Sequence, residues 1–397
     1  MEILRNLRRR KLRTTLTVTG IVMGIFALTT MGALAEHFNM LLGGGITYYG
    51  SSIQIGSDTG GGGFGAGYMS LDTLSQIRRV SGVVEAAPSV QVLAKPGSVS
   101  AVNFGVPDYI MNFDPKSFDY SAFKVSLASG RWPTDSSRWE VALGASFASE
   151  FNKHVGDSIY LPVRPSDATA DFINHRFTVI GIANKTLTAP DSGAFVSLHD
   201  AQMLMGESIP QGIRSSVDPY KLISGVVAFG KPGVNLDTLA DRITNTVPGV
   251  KATKPSDLVS SFKAGGAVFT FMTTAAALLA IIIGGLSVVN TMIMSVTERV
   301  REIGLKKAIG AKTRNILGEF LAESTVMGLL GGAVGFLLGL LLTLALNGSD
   351  PSGGIFLITP RLTVIALVFA VALGAGAGVI PAMRAAKMDP VTALRAQ

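Results

Sequence analysis

Four apolar runs set the pattern of the chain: Leu16–Ala35, Ala267–Ser295, Phe320–Leu346 and Leu362–Pro381. Each is long enough to cross a bilayer as a helix, which takes roughly 20 apolar residues. The first and last hold no charge, and the third holds only Glu323 near its start. The second has 29 residues, about 43 Å as a helix at roughly 1.5 Å per residue. That exceeds a hydrocarbon core of about 30 Å, so the pattern predicts a helix that projects as a stalk.

Between the first and second runs lie 231 residues, Glu36–Gly266, with the mixed pattern of a folded soluble domain. Two stretches echo each other there. LDTLSQIRRVSGV (71–83) and LDTLADRITNTVPGV (236–250) share their first four residues and a closing Gly-Val. Each reads as a short amphipathic helix, a turn at Gly82 or Gly249, then a strand. This predicts two strand–helix–strand units packed together. Glu140–Pro162 reads as strand, helix, glycine turn and strand, and His175–Thr186 as a strand with Gly181 at a bulge or turn. These predict a mostly β subdomain inserted into the first.

Charge then orients the runs. Hydrophobic residues make up 48% of the chain and charged ones 15%, which excludes an ordinary soluble protein. Residues 36–266 hold 18 Lys/Arg against 20 Asp/Glu, net −2, and the remainder holds 16 against 7, net +9. The net charge of +7 is therefore a membrane-flank effect, and no basic face with interleaved aromatics suggests nucleic acid. Arg5, Arg8, Arg9, Arg10, Lys11 and Arg13 precede the first run. Six more basic residues separate the second and third, and Arg384, Lys387 and Arg395 follow the fourth. Lys and Arg concentrate on cytoplasmic flanks, so both termini and the loop after the second run are expected inside, with the large domain outside.

Several features that suggest other chemistry weaken on inspection. A basic start followed by Ala33-Leu34-Ala35 resembles a signal peptide, but the apolar run exceeds the usual core of about 7–15 residues. It also carries Gly20-x-x-x-Gly24, a spacing that lets helices approach closely in lipid, so an uncleaved span is expected. Gly60-x-Gly62-x-x-Gly65 matches a dinucleotide fingerprint only because the segment is saturated with glycine. The four histidines are scattered and there is no cysteine, leaving little from which to build a metal or catalytic site. Gly310-Ala311-Lys312-Thr313 approaches a phosphate-binding loop, yet Ala311 stands where glycine must precede the lysine.

The loop Val296–Ile316 carries more than positive charge. Val296, Val300 and Ile303 share one helical face, with Glu298, Arg301 and Glu302 around it. Glu302 and Lys306 form a favourable i,i+4 pair. Gly304 and Gly310 would weaken a helix by about 1 kcal/mol each relative to alanine, so they suggest close approach by another surface. The reading is a helix that docks a cytoplasmic partner through Thr297, Glu298, Val300, Arg301, Glu302, Ile303, Gly304, Lys307 and Gly310, with its apolar face and glycines toward that partner. Close helix packing in the membrane is assigned to Gly20, Gly24, Gly328, Gly332, Gly335 and Gly339, and further small-residue pairs occur at Gly331/Gly335 and Gly374/Gly378.

ERVREIGLKKAIGAKTRNILGEFLAES (298–324), followed by GLLGGAVGFLLG (328–339), resembles the FtsX-type permease module of ABC transporters. The single span, large outer domain and three further spans are similar to the MacB branch, as are Glu140–Pro162 with His175–Thr186, and the ending from Pro381 to Arg395 fits the family. The resemblance implies an α-helical membrane protein with four transmembrane helices and a large α+β extracytoplasmic domain inserted between the first and second. Its implied parts are a basic segment (1–15), span one (16–35), an outer core of two α+β subdomains (36–266), span two (267–295) and a cytoplasmic coupling helix (296–319). Span three (320–346), an outer loop (347–361), span four (362–381) and a cytoplasmic tail (382–397) complete it.

The resemblance further implies a mechanotransmitting permease in the cell membrane without its own cofactor. ATP would be bound by a separate cytoplasmic ATPase, since MacB proteins carry theirs ahead of the first span and this sequence begins almost directly at that span. A second permease copy or paralogue, membrane lipid and an extracytoplasmic adaptor are the other implied partners. The implied activity is export or extraction of a peptide, lipid-linked or drug-like substrate. The alternative is an FtsX-like regulator of a cell-wall hydrolase, against which the 231-residue outer domain argues, since such regulators usually have smaller ones.

Overall fold

The structure, a computed structural model, describes residues 11–59, 67–96, 108–165, 172–186, 188–349 and 354–395. The glycine fingerprint at 60–65, the basic residues before Lys11 and part of the 347–361 loop lie outside them. The chain divides into an α+β unit, Phe38–Gly266 with Asp350–Ile355, called the outer unit after its expected placement, and a membrane unit made of the rest.

In chain order the outer unit opens with the end of helix α1 (Lys11–Gly50), followed by β1 (Ile53–Ser57), β2 (Met69–Ser70), α2 (Asp72–Arg78) and β3 (Val83–Ser89). Next come β4 (Gln91–Leu93), β5 (Tyr109–Asn112), α3 (Pro115–Tyr120), β6 (Leu127–Gly130), β7 (Glu140–Leu143) and α4 (Ala145–Glu150). Then follow β8 (Ser158–Leu161), β9 (His175–Ala183), β10 (Gly193–Val196), α5 (Leu198–Ser208) and α6 (Gln211–Arg214). The unit closes with β11 (Leu222–Ile223), β12 (Gly225–Gly230), α7 (Leu236–Thr246), β13 (Val250–Thr253) and the start of α8 (Pro255–Glu298).

Four strands pair antiparallel in the order β13-β1-β12-β3. The units β1-α2-β3 and β12-α7-β13 therefore interlock, so that each contributes one inner and one edge strand, the split β-α-β arrangement. The two echoed stretches are the helix and second strand of these halves. Each passes through a glycine with positive φ, +105° at Gly82 and +74° at Gly249, a conformation other residues reach at a cost. Ile77 from one helix and Leu239, Ala240 and Ile243 from the other are buried in the core of this unit.

Strands β4 to β10 form the inserted sheet, ordered β4-β5-β10-β7-β9-β6 with β8 also paired to β9. The alternation along β9 buries Phe177 and Val179. At Gly181 the register with β7 shifts, and a Cβ there would collide with the Arg131 carbonyl oxygen. Glycine thus marks a bulge, as the sequence suggests.

Among the described residues, four helices are long and apolar enough to cross a bilayer, and the membrane unit holds their apolar stretches. These are α1, α8, α10 (Thr313–Ser349) and α11 (Pro360–Ala386); the short α9 (Val300–Ala308) links α8 to α10, and α12 (Pro390–Arg395) follows α11. The apolar runs read from the sequence are the middles of longer helices. At 1.5 Å per residue, the 40 residues of α1 extend about 60 Å and the 44 of α8 about 66 Å. Ala33-Leu34-Ala35 lies inside unbroken helix, where Ala33 is buried and its carbonyl accepts the Leu357 N–H at 2.9 Å.

Glycines set the helix contacts, and those of α10 fall on two faces. Gly328 and Gly332 meet α11: a Cβ at Gly328 would lie 2.6 Å from the Ala370 carbonyl oxygen, and one at Gly332 would overlap the Ala370 side chain. Gly331, Gly335 and Gly339 meet α1, where added Cβ atoms would lie 2.8 Å from Ile21 Cβ, 2.6 Å from the Val22 oxygen and 2.8 Å from Thr29 Cβ. On α1, Gly20 and Gly24 face Ser287 and Ala280 of α8, and the Thr17 and Thr291 hydroxyls hydrogen-bond nearby.

These contacts make a prediction with an internal control. A Cβ at Gly374 would lie 2.6 Å from the Ser324 carbonyl oxygen and 2.8 Å from Gly328 Cα, whereas one at Gly376 meets nothing within 4 Å. Gly374→Ala should lower thermal stability in detergent by about 1–3 kcal/mol, the usual penalty of overpacking. Gly376→Ala, two residues along the same helix, should leave the melting temperature unchanged or raised.

Candidate functional site

The charged segment between α8 and α10 is a bent, pinned helix. α8 ends at Glu298, and Arg299, with φ −112° and ψ 13°, leaves helical geometry. Its guanidinium Nη1 donates to Glu323 Oε2 of α10 at 3.1 Å, the two side chains being 12% and 10% exposed. α9 then runs for nine residues and ends in a capped turn. Ile309, Gly310 and Ala311 N–H groups donate to the carbonyls of Leu305, Lys307 and Lys306. Gly310 takes φ +98°, the left-handed position where glycine closes a helix.

Two lysines hold α9 in place. Lys306 Nζ contacts both Glu319 oxygens at 2.9 Å and Glu302 at 3.1 Å. Burial alone would lower its pKa, but the hydrogen bonds to Glu319 and Glu302 outweigh it and hold the ammonium above its ordinary value. Lys307 Nζ donates to the Met388 carbonyl at 2.7 Å. α12 packs along α9 as well, started by Pro390 after Asp389, whose Oδ2 accepts the Thr392 N–H at 3.3 Å.

This arrangement corrects the expected facing of the segment. Ile303, 3% exposed, and Gly304 are buried, and Ile303 packs in one cluster with Val296, Ile316, Phe320, Ala382, Ala385 and Ala386. The apolar stripe seals α9 to its own helices because they supply the nearest apolar surface. Gly310 is explained by the turn and not by close approach, and Lys307 is committed to Met388. Val300 is half-buried, while Thr297, Glu298, Arg301 and Glu302 are exposed. The apolar residues that do face outward are ones the pattern did not single out: Leu305, 57% exposed, and Ile309, 79% exposed. At about 100° per residue they lie opposite the buried stripe. Gly310–Thr313 is a turn between two helices, without the strand that feeds a phosphate-binding loop.

Comparisons with known proteins agree with this architecture. Residues 14–246 match the MacB-like periplasmic core domain and residues 274–390 the FtsX-like permease C-terminal domain. The chain belongs to the MacB/FtsX-type ABC transporter permeases. It is 25% identical to the macrolide export ATP-binding/permease protein MacB of Marinobacter nauticus over 99% of its own length and 60% of that protein's. It is 24% identical to the pyoverdine export ATP-binding/permease protein PvdT of Pseudomonas fluorescens, over 98% of this chain and 57% of that one. The chain thus spans about three fifths of such relatives. An ABC transporter permease of Methanocaldococcus jannaschii is 25% identical over 70% of this chain and 67% of its own. Among solved structures, the periplasmic region of MacB from Actinobacillus actinomycetemcomitans aligns at TM-score 0.34 and 12% identity, covering 54% of this chain and 92% of that one.

Proposed function

We propose that this membrane permease couples ATP hydrolysis by a separate cytoplasmic ATPase to movement of an extracytoplasmic domain, driving export or extraction of a peptide, lipid-linked or drug-like substrate. The observation that carries the reading is the exposed Leu305–Ile309 pair on a helix fixed from behind by Arg299, Lys306 and Lys307. Two large apolar side chains on a charged segment outside the apolar runs are suited to the groove of a partner protein. Export as the direction of transport is supported by the relatives named for macrolide and pyoverdine export, which align over nearly the whole chain. Force applied near Glu298 would travel along α8, which is continuous helix from Pro255. The apolar residues exposed along α8, Phe271, Ile282 and Leu286 among them, suit lipid or a second permease copy.

The orientation behind this reading has a direct test, since the chain has no cysteine. Single cysteines at the exposed positions Ser136 and Gly348 should react with an impermeant thiol reagent added to intact cells. Cysteines at Ala308 and Asn315, equally exposed, should react only after permeabilisation. Labelling of Asn315→Cys from outside would overturn the proposed topology. For the coupling itself, an ABC ATPase co-expressed with the permease should co-purify with it.

A further inference from the structure

A cavity of about 120 Å³ opens within the outer unit, walled by the end of α1, strands β1, β3, β5, β10 and β12, and helix α3. Its lining is rich in aromatic rings. Phe113 and Trp132 stack with centroids 4.6 Å apart, Phe118 leans on both at 5.7 and 6.2 Å, and Phe195 meets Trp132 edge-on at 5.2 Å. Phe113, Phe118 and Trp132 are only half-buried although they lie in an aromatic cluster. At about 120 Å³ it is somewhat smaller than the cavity of about 150 Å³ that holds benzene, so a single small ring would enter in part and rest on these half-exposed aromatic side chains.

The polar part of the lining specifies charge. Asn112 is occupied, accepting the Val90 N–H and donating to the Pro88 carbonyl. Among the described residues that line the cavity, Asp114 is the only charged one. Its Oδ2 accepts the Ser117 N–H at 2.9 Å and so caps α3; among the described residues no hydrogen bond reaches its Oδ1. Aromatic faces and a carboxylate with no ion-pair partner among the described residues both favour a cation, through the ring quadrupole and by direct attraction.

We propose that this cavity binds a small organic ammonium compound, with its ring against Phe113, Phe118 and Trp132 and its ammonium group on Asp114. The assignment stands independently of ATPase coupling, because binding to the outer unit requires no partner.

The test uses the full chain in non-ionic detergent. The sequence has two tryptophans, so Trp139→Phe leaves Trp132 as the sole indole, beside the cavity. Its fluorescence is titrated with 4-bromobenzylamine, 4-bromobenzyl alcohol and 4-bromobenzoate, whose bromine quenches indole on contact. The amine should quench saturably and bind about tenfold more tightly than the alcohol, and the benzoate should not saturate. Asp114→Asn removes the charge but keeps a helix cap, since asparagine caps as well as aspartate. It should reduce amine binding to the level of the alcohol. Val227→Phe and, separately, the smaller change Ser89→Leu fill the cavity from β12 and β3, and should abolish saturable quenching with the melting temperature retained. Quenching that rises linearly for all three probes, or amine binding indifferent to Asp114→Asn, would overturn the proposal.

Discussion

Aspartate in place of Leu305 or Ile309 should strip the ATPase from the permease and leave the permease itself intact. Full burial of such a side chain contributes roughly 1.5–3 kcal/mol, which corresponds to about ten- to a hundredfold in affinity for each position. Both are more than half exposed in the chain alone, so neither substitution disturbs internal packing. Ile303→Asp should do the opposite. At 3% exposure it places a charge in the cluster beneath α9, which should lower yield and thermal stability before docking is tested. Lys312→Gln, at an exposed position after the turn, should change little. Pull-down of the cognate ATPase, with coupled hydrolysis rates at equal permease levels, separates these outcomes. Retention of the ATPase by a Leu305→Asp, Ile309→Asp double variant would sink the docking assignment.

The second large effect concerns the bend. Removing one partner of a buried ion pair typically costs about 3–5 kcal/mol, because the remaining charge is left uncompensated. Glu323→Ala should therefore be severely destabilising, since Arg299 is 12% exposed where α8 gives way to α9. Replacing both partners with methionine should recover most of the loss, as apolar replacements of buried pairs often do. Thermal unfolding of Arg299→Met, Glu323→Met and the double variant closes the cycle. A cost below about 1 kcal/mol for Glu323→Ala would mean that the pair is solvated in the membrane-bound protein.

The four spans and the echoed halves were legible because each rests on a local signal: an unbroken apolar run, or a glycine turn at a fixed place. The stripe of Val296, Val300 and Ile303 was legible as well, but its direction was not. An amphipathic pattern shows that a face is covered without naming the cover, and here α10 and α11 reach it first. Leu305 and Ile309 were overlooked because two apolar residues among charges have no period of their own. What singles them out is the burial of the opposite face. The glycines of α10 likewise announced close packing but not which neighbour each receives, since Gly328 and Gly331 are three apart and point to different helices.

The brace beneath α9 also affects how truncations are interpreted. α12 is only six residues long, and it packs on the segment that follows α8 while Met388, just before it, holds Lys307. A deletion that removes residues from Met388 onward takes away both supports at once. Such a mutant, scored in a genetic screen as evidence for a tail function, would instead report the collapse of a loop some 80 residues upstream. By the same logic, second-site suppressors of weak alleles in α9 should be sought around Ala393, which is 2% exposed, as well as within the loop.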